Sequence, residues 1–278
     1  MANNPATVTA ALVRDTFREA FARKIFWGFF GCATAIILFF VFLMKIDVVE
    51  GALATISLFG NESRATDVTT LVRGVHGALA AFLYGVGLFF AVFASAGLIP
   101  TIFEPGRIEL LLSKPVRRAH ILLGRYLGTL LVVTFNLLYL VVSIWLILGI
   151  KTNIWTYQFL FSTAFAIFVF AVLLTVVLLV AVLSESAVLA TMVTFGVMIA
   201  GLIVAQKSLL ERLLTSEWSR NVVRALYYAL PKVWDLGNIG RQLVIGVPIE
   251  SWMPVWSSAL FGIVTLGAGL LVFARRNY

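Results

Sequence analysis

Six runs of roughly 20 to 30 residues with almost no charge constrain this chain more than any other feature. A hydrocarbon core of about 30 Å is crossed by about 20 residues of helix. No water reaches the backbone there, so each run must satisfy its own N–H and C=O groups, and a helix does so within one segment. The runs lie at about 25–44, 74–99, 121–150, 157–183, 187–205 and 254–273. Hydrophobic residues make up 61% of the chain, above the 45–50% usual for soluble domains. The sequence therefore predicts an all-α integral membrane protein with six transmembrane helices, organised as one membrane domain over 1–278.

Charge sets the orientation. The net charge is +8. With the N-terminus inside, Arg14, Arg18, Arg23, Lys24, Arg107, Lys114, Arg117, Arg118, Arg125, Arg275 and Arg276 fall on the cytoplasmic side, close to span ends. That is the pattern of the positive-inside rule, so both termini are expected in the cytoplasm. The partner of this charge is the anionic face of the lipid bilayer. Nucleic acid is not expected, because no basic domain or base-stacking module stands outside the spans. Trp145, Trp155, Trp218, Trp234, Trp252 and Trp256 fall near the outer boundary, as an aromatic belt would.

The segments between the spans are informative. In residues 7–24, Ala10, Val13, Phe17, Ala20 and Phe21 recur at helical spacing, with Arg14, Asp15, Arg18, Glu19 and Arg23 on the other face. This predicts an N-terminal amphipathic helix in the lipid interface, or a plain extension of the first span. Residues 45–73 read as a polar outer loop. The outer loop 207–253 is too long and apolar for a simple connection. Leu209 to Tyr227 and Leu236 to Val244 predict short helices on or in the outer leaflet, acting as a gate or as a closing cap.

No phosphate-binding loop, CxxC or HExxH pattern is present. His76 and His120 are lone residues at span ends, expected to be interfacial, and no metal site is expected. Cys32 is the single cysteine, so no internal disulfide can form. The apolar run continues past it, and no cleaved signal peptide is expected. No catalytic set is legible, so the chain is not read as an enzyme. The span interiors lack the ionisable residues that ion-coupled carriers titrate. Their polar residues, Thr34, Asn136, Ser143, Ser162, Thr163, Thr175, Thr191 and Thr194, are neutral and suited to hydrogen bonds between helices.

The basic stretch from Glu104 to Gly128 stands apart. Pro105 and Gly106 open a short helix and Pro115 ends it. Ile108, Leu111 and Leu112 share a face, while Glu109 and Lys114 suit the two ends of the helix dipole. Arg117, Arg118 and Arg125 would then hold the third span at the headgroups. Two readings stand on this pattern alone: an apolar face that docks in a groove of a soluble partner, or an ordinary positive-inside loop.

The run Gly-x-x-Glu-Leu-Leu-Leu-Ser-x-Pro-Val-x-Arg, followed by Ile-Leu-Leu-Gly-Arg-Tyr-Leu-Gly, resembles the signature of type-2 ABC exporter permeases. It is similar in particular to the six-span subfamily that includes the permease of the nitrous-oxide-reductase maturation transporter. Glu104, Gly106, Glu109, Leu110, Leu111, Leu112, Ser113, Pro115 and Arg118 occupy matching positions, and Leu230-Pro231 with Asp235 resembles the pattern before the last span. The resemblance implies a cytoplasmic coupling helix between spans two and three, with Glu104, Gly106, Arg107, Ile108, Glu109, Leu111, Leu112, Lys114, Pro115, Arg117 and Arg118 as the coupling residues. It implies a bacterial cytoplasmic membrane, two copies of a separate ABC ATPase, and a homodimer or a sister permease. ATP and magnesium would be held by the ATPase, with no cofactor in this chain. Arg107 and Arg117 depart from the small hydroxyl residues common there. The alternative reading is a membrane anchor that assembles an ATPase complex for maturation of an envelope protein, without solute transport.

Overall fold

A computed structural model describes residues 5–49, 53–58, 61–62, 66–103, 106, 118–214 and 216–276. The chain opens with α1 (Pro5–Ala22) and α2 (Lys24–Leu38). A π-helical turn, Phe39–Leu43, prolongs α2. The two limbs Thr9–Ala22 and Phe26–Phe42 meet at 73°. Five further stretches are long and apolar enough to cross a membrane: Val68–Phe103, Arg118–Thr152, Tyr157–Ser184, Ala187–Ala205 and Met253–Arg275; the bent pair supplies a sixth candidate. The protein is a helical integral membrane protein.

The loop between the first two spans differs from expectation. Residues 45–73 are not simply a polar connection. β1 (Met44–Val49) and β2 (Leu53–Leu58) pair antiparallel, with Met44 opposite Leu58. Two short strands, β3 (Asn61–Glu62) and β4 (Thr66–Asp67), both pair with β2. The alternation of apolar and polar residues in Ile46-Asp47-Val48 and Ala54-Thr55-Ile56 fits a ribbon. α3 (Val68–Phe82) then begins six residues before the expected start of the second span. Asp67 caps it by accepting from the Thr70 N–H at 3.0 Å. A second π-helical turn, Leu83–Gly87, separates α3 from α4 (Leu88–Ser95), and a 3-10 turn follows at Pro100–Phe103.

α5 (Arg118–Thr152), α6 (Tyr157–Ser184) and α7 (Ala187–Ala205) come next. Lys151 near the end of α5 donates to the Phe40, Val41 and Met44 carbonyls at 2.8, 2.9 and 2.7 Å, satisfying groups that α2 leaves open at its end. Glu185 turns the α6–α7 hairpin in the left-handed region at φ 54°. α6 is the central helix, packed against α5, α7 and the last span. Its Phe170, Leu173, Leu174, Val177 and Leu178 lie in the main core.

The long loop before the last span folds as α8 (Lys207–Leu213), α9 (Glu217–Ala229) and α10 (Val233–Ile245), followed by α11 (Met253–Arg275). α8 and α9 bury none of their side chains. α10 lies against α3, α6 and α7, with Leu236, Ile239 and Val244 buried.

The expectation that neutral polar residues bond between helices is mostly wrong. Ser162, Thr163, Thr175, Thr191 and Thr194 each donate to a carbonyl three or four residues back in their own helix. Thr34 bonds the Phe30 carbonyl in the same way and also reaches the Tyr139 hydroxyl across helices at 3.3 Å. A hydroxyl on a helix is always within reach of such a carbonyl, so no partner helix is needed. His76 is buried between helices. It is 1% exposed, stacked on Phe159 at 4.3 Å, with Nδ1 3.3 Å from the Thr156 hydroxyl.

Candidate functional site

The end of the bundle that holds both chain termini is built around one buried cation. Arg125, in the second turn of α5, is 1% exposed. The expectation that it holds the span at the headgroups is overturned. Its Nη1 lies 2.6 Å from Glu19 Oε2 and its Nη2 3.2 Å from Asp15 Oδ2, both on α1. Glu19 also accepts from Arg23 at 3.0 Å and from the Thr101 hydroxyl at 2.8 Å. Asp15 and Glu19 are one helical turn apart, so both carboxylates reach the same guanidinium. A buried charge is tolerated when it is paired and hydrogen-bonded, and here α1 supplies the partners.

Close approach makes this geometry possible. Gly124 and Gly128 form a notch on α5. A Cβ at Gly124 would stand 2.7 Å from Leu12, and one at Gly128 2.6 Å from Thr16. Small residues four apart let helix backbones meet, which is how helices associate where lipid gives no hydrophobic drive. The face of α1 that faces the bundle is therefore Leu12, Thr16 and Ala20. Ala10 and Phe21, on the apolar face expected to meet lipid, are exposed, whereas Ala20 of the same face is buried. The Gly-x-x-x-Gly spacing at 124–128, with Arg125 inside it, was the readable signal for this contact.

The connection from α4 to α5 is anchored at both edges of this cluster. On the α4 side, Pro100–Phe103 is buried, Thr101 bonds Glu19, and Phe103 packs edge-on to Phe273 with centroids 6.0 Å apart. On the α5 side, Arg118 donates to the Arg276 carbonyl. Arg276 in turn donates to the Val182 carbonyl and pairs with Glu185 at 2.9 Å. Of the coupling residues expected from the sequence, Gly106 is exposed, with φ +82°, a backbone conformation glycine adopts without strain. Arg118 is half-buried at the tail contact just described. Glu104, Arg107, Ile108, Glu109, Leu111, Leu112, Lys114, Pro115 and Arg117 lie outside the described residues.

At the opposite end, Tyr84 in the second π turn is the pivot. Its hydroxyl donates to the Ser162 carbonyl at 2.6 Å. Gly237 and Gly240 of α10 lie against its ring, where a Cβ on Gly240 would meet Cε2 at 2.6 Å. Asp235 accepts from the Tyr227 hydroxyl at 2.8 Å, which ties α9 to α10. Lys207 and Lys232 both approach the Tyr227 ring, at 4.0 and 4.6 Å from its centroid. Burial lowers the affinity of the Lys232 ammonium for its proton and nearby Asp235 opposes that shift.

A comparison with known families completes the picture. No curated protein gives a significant match. The family model described as ABC-2 family transporter protein matches residues 10–277, nearly the whole chain. Its span covers α1, the anchored connection, all the long helices and the α9–α10 pair. The chain belongs to the ABC-2 transporter family, as a permease component of an ABC transporter.

Proposed function

We propose that this permease moves a substrate out across the bacterial cytoplasmic membrane, driven by ATP hydrolysis on two copies of a separate ABC ATPase. Segment 104–118 is the input, with Ile108, Leu111 and Leu112 as apolar knobs and Arg107, Lys114, Arg117 and Arg118 as charge partners. Both termini and this segment face the cytoplasm. The chain itself performs no chemistry and holds no cofactor; ATP and magnesium stay on the ATPase. It works as a homodimer or with a sister permease.

The observation that carries this reading is the double anchoring of the 104–117 segment. A push on that segment reaches Thr101 and Glu19 at one edge, and Arg118 and Arg276 at the other. Glu19 passes it through Arg125 into α5. Arg276 passes it to the α6–α7 hairpin. Movement of one soluble partner would thus reach α1, α5, α6, α7 and α11 through direct polar contacts.

The test uses Glu109→Ala and Leu111→Asp in membranes that also contain the ATPase. ATP-driven substrate movement should be lost, while membrane insertion stays normal. Normal ATP-driven movement in both variants would remove the coupling role from this segment.

A further inference from the structure

The π turn at Leu83–Gly87 does more than seat Tyr84. Below the Tyr84 ring, α3, α7 and α10 diverge and leave a cavity of about 400 Å³. Ligand sites for small molecules fall in the range of roughly 300–1,000 Å³ and are apolar, with a few placed polar groups. This one fits that description. Ala81, Gly85, Met198 and Leu202 form its apolar walls, and Trp234 and Arg241 come from α10. Asn238 is the other polar liner from α10, and among the described residues no carboxylate lines the cavity. Arg241 is exposed, with no ion-pair partner among the described residues. Ile199, Leu202 and Trp234 are 49, 40 and 46% exposed at the cavity, so its mouth opens among apolar side chains and not into a polar funnel.

An apolar body with one unpaired guanidinium beside it selects its occupant by charge and shape. A polar solute would lose its water and find few partners. A cation would meet Arg241. We propose that this cavity binds a single-chain anionic amphiphile, its hydrocarbon tail between α3 and α7 and its acidic head on Arg241 and Asn238. The guanidinium is suited to a planar carboxylate or a phosphate, which it can hold by two parallel hydrogen bonds. Gly237 lets α10 approach Tyr84, where a Cβ would stand 3.1 Å from the Tyr84 side chain, and the cavity lies beside that contact. Treating it as the cargo site rests on the permease reading; binding itself does not.

The experiment is fluorescence quenching of the purified full chain in nanodiscs, without ATPase, by stearate brominated at mid-chain. The share of emission from Trp234 is taken as the difference between the wild type and Trp234→Phe. That share should be quenched by the acid at a concentration about tenfold below the one needed for its uncharged methyl ester. Arg241→Gln should raise the half-quenching concentration about tenfold, as loss of one charge-assisted contact predicts. Gly85→Leu should abolish the saturable quenching by filling the space, since a Cβ there meets no atom within 4 Å and the fold should tolerate it. Equal quenching by acid and ester, or no effect of Arg241→Gln, would mean ordinary lipid contact and overturn the proposal. Cross-linking of Leu202→Cys to a second copy, with Trp234 shielded from both probes, would also overturn it by making this face an interface. Loss of ATP-driven transport with binding intact would instead fail the exporter reading alone.

Discussion

The two ends of the bundle are held by different physics. At the end with the termini, α1 is fixed to α5 by a glycine notch and by a guanidinium shared between two carboxylates. At the other end, α10 is fixed to α3 and α6 by a tyrosine lying on two glycines, with buried aliphatic side chains behind it. Lipid tails are as apolar as leucine, so neither contact can rely on expelling water. Both rely on close approach. Only the first adds charge, and a charge contact can be broken by one substitution and restored by another. The tyrosine contact adds one hydrogen bond, to the Ser162 carbonyl, and otherwise fails when its shape is lost. The end proposed to receive the push from an ATPase is thus held by a few strong, discrete contacts, and the end beside the cavity by a packed surface.

The largest effect expected from breaking this contrast is at Glu19. Glu19→Leu leaves Arg125 buried, with only half-exposed Asp15 beside it, and should cost about 3–5 kcal/mol. A clear fall in melting temperature of the purified protein checks it. Adding Arg125→Leu should recover most of the loss, because a buried pair replaced by apolar residues is often near neutral. At the packed end, Gly240→Leu forces a side chain into the Tyr84 ring and should cost about 1–3 kcal/mol. No charge change can rescue that variant, but Tyr84→Ala in the same chain should relieve it, again read by melting temperature. If Gly240→Leu alone were silent, α10 would not be seated as described.

The smallest effect is expected on the surface pair of α8 and α9. Arg224 lies 2.8 Å from Glu211, and its hydrogen bond and charge hold the Glu211 carboxyl below the usual range. A carboxyl with a lowered folded value stabilises above its unfolded value and loses that effect as pH falls through the folded one. The pair is exposed, so the sign is firm but the size small. Arg224→Ala should leave the melting temperature at neutral pH unchanged within error. A large fall would show that α8 and α9 are packed against something beyond their own pair.

Much of the fold was legible because span length and charge position are set by the bilayer. Leu209 to Val244 also read correctly as short helices. What sequence reading missed has a common cause. Arg125 sits 110 residues from Asp15 and 106 from Glu19, and each alone looks like a charge near a headgroup. Only the notch at Gly124 and Gly128 shows that α1 comes close enough to pair them. Periodicity put Ala10, Ala20 and Phe21 on one lipid-facing stripe; Ala10 and Phe21 are exposed as such a stripe would be, but Ala20 is buried and Leu12 and Thr16 meet α5. The pairing of Met44–Val49 with Leu53–Leu58 was missed although the alternation is present, because the charges around it suggest a plain loop. The π turns leave no local signature, because an extra residue in a helical turn changes the register without changing the residue types. Tyr84, the pivot they create, looked like one more aromatic in a span.

The central claim is that segment 104–118 is where an ATPase attaches to this permease. The most direct test is affinity purification of the tagged chain from its native membrane, in wild-type form and as Leu111→Asp, with nucleotide-binding chains quantified by mass spectrometry. The account predicts an ABC ATPase present in stoichiometric amount with the wild type and depleted at least about tenfold with Leu111→Asp, while the recovery of the tagged chain stays the same. Equal ATPase in both samples would contradict it.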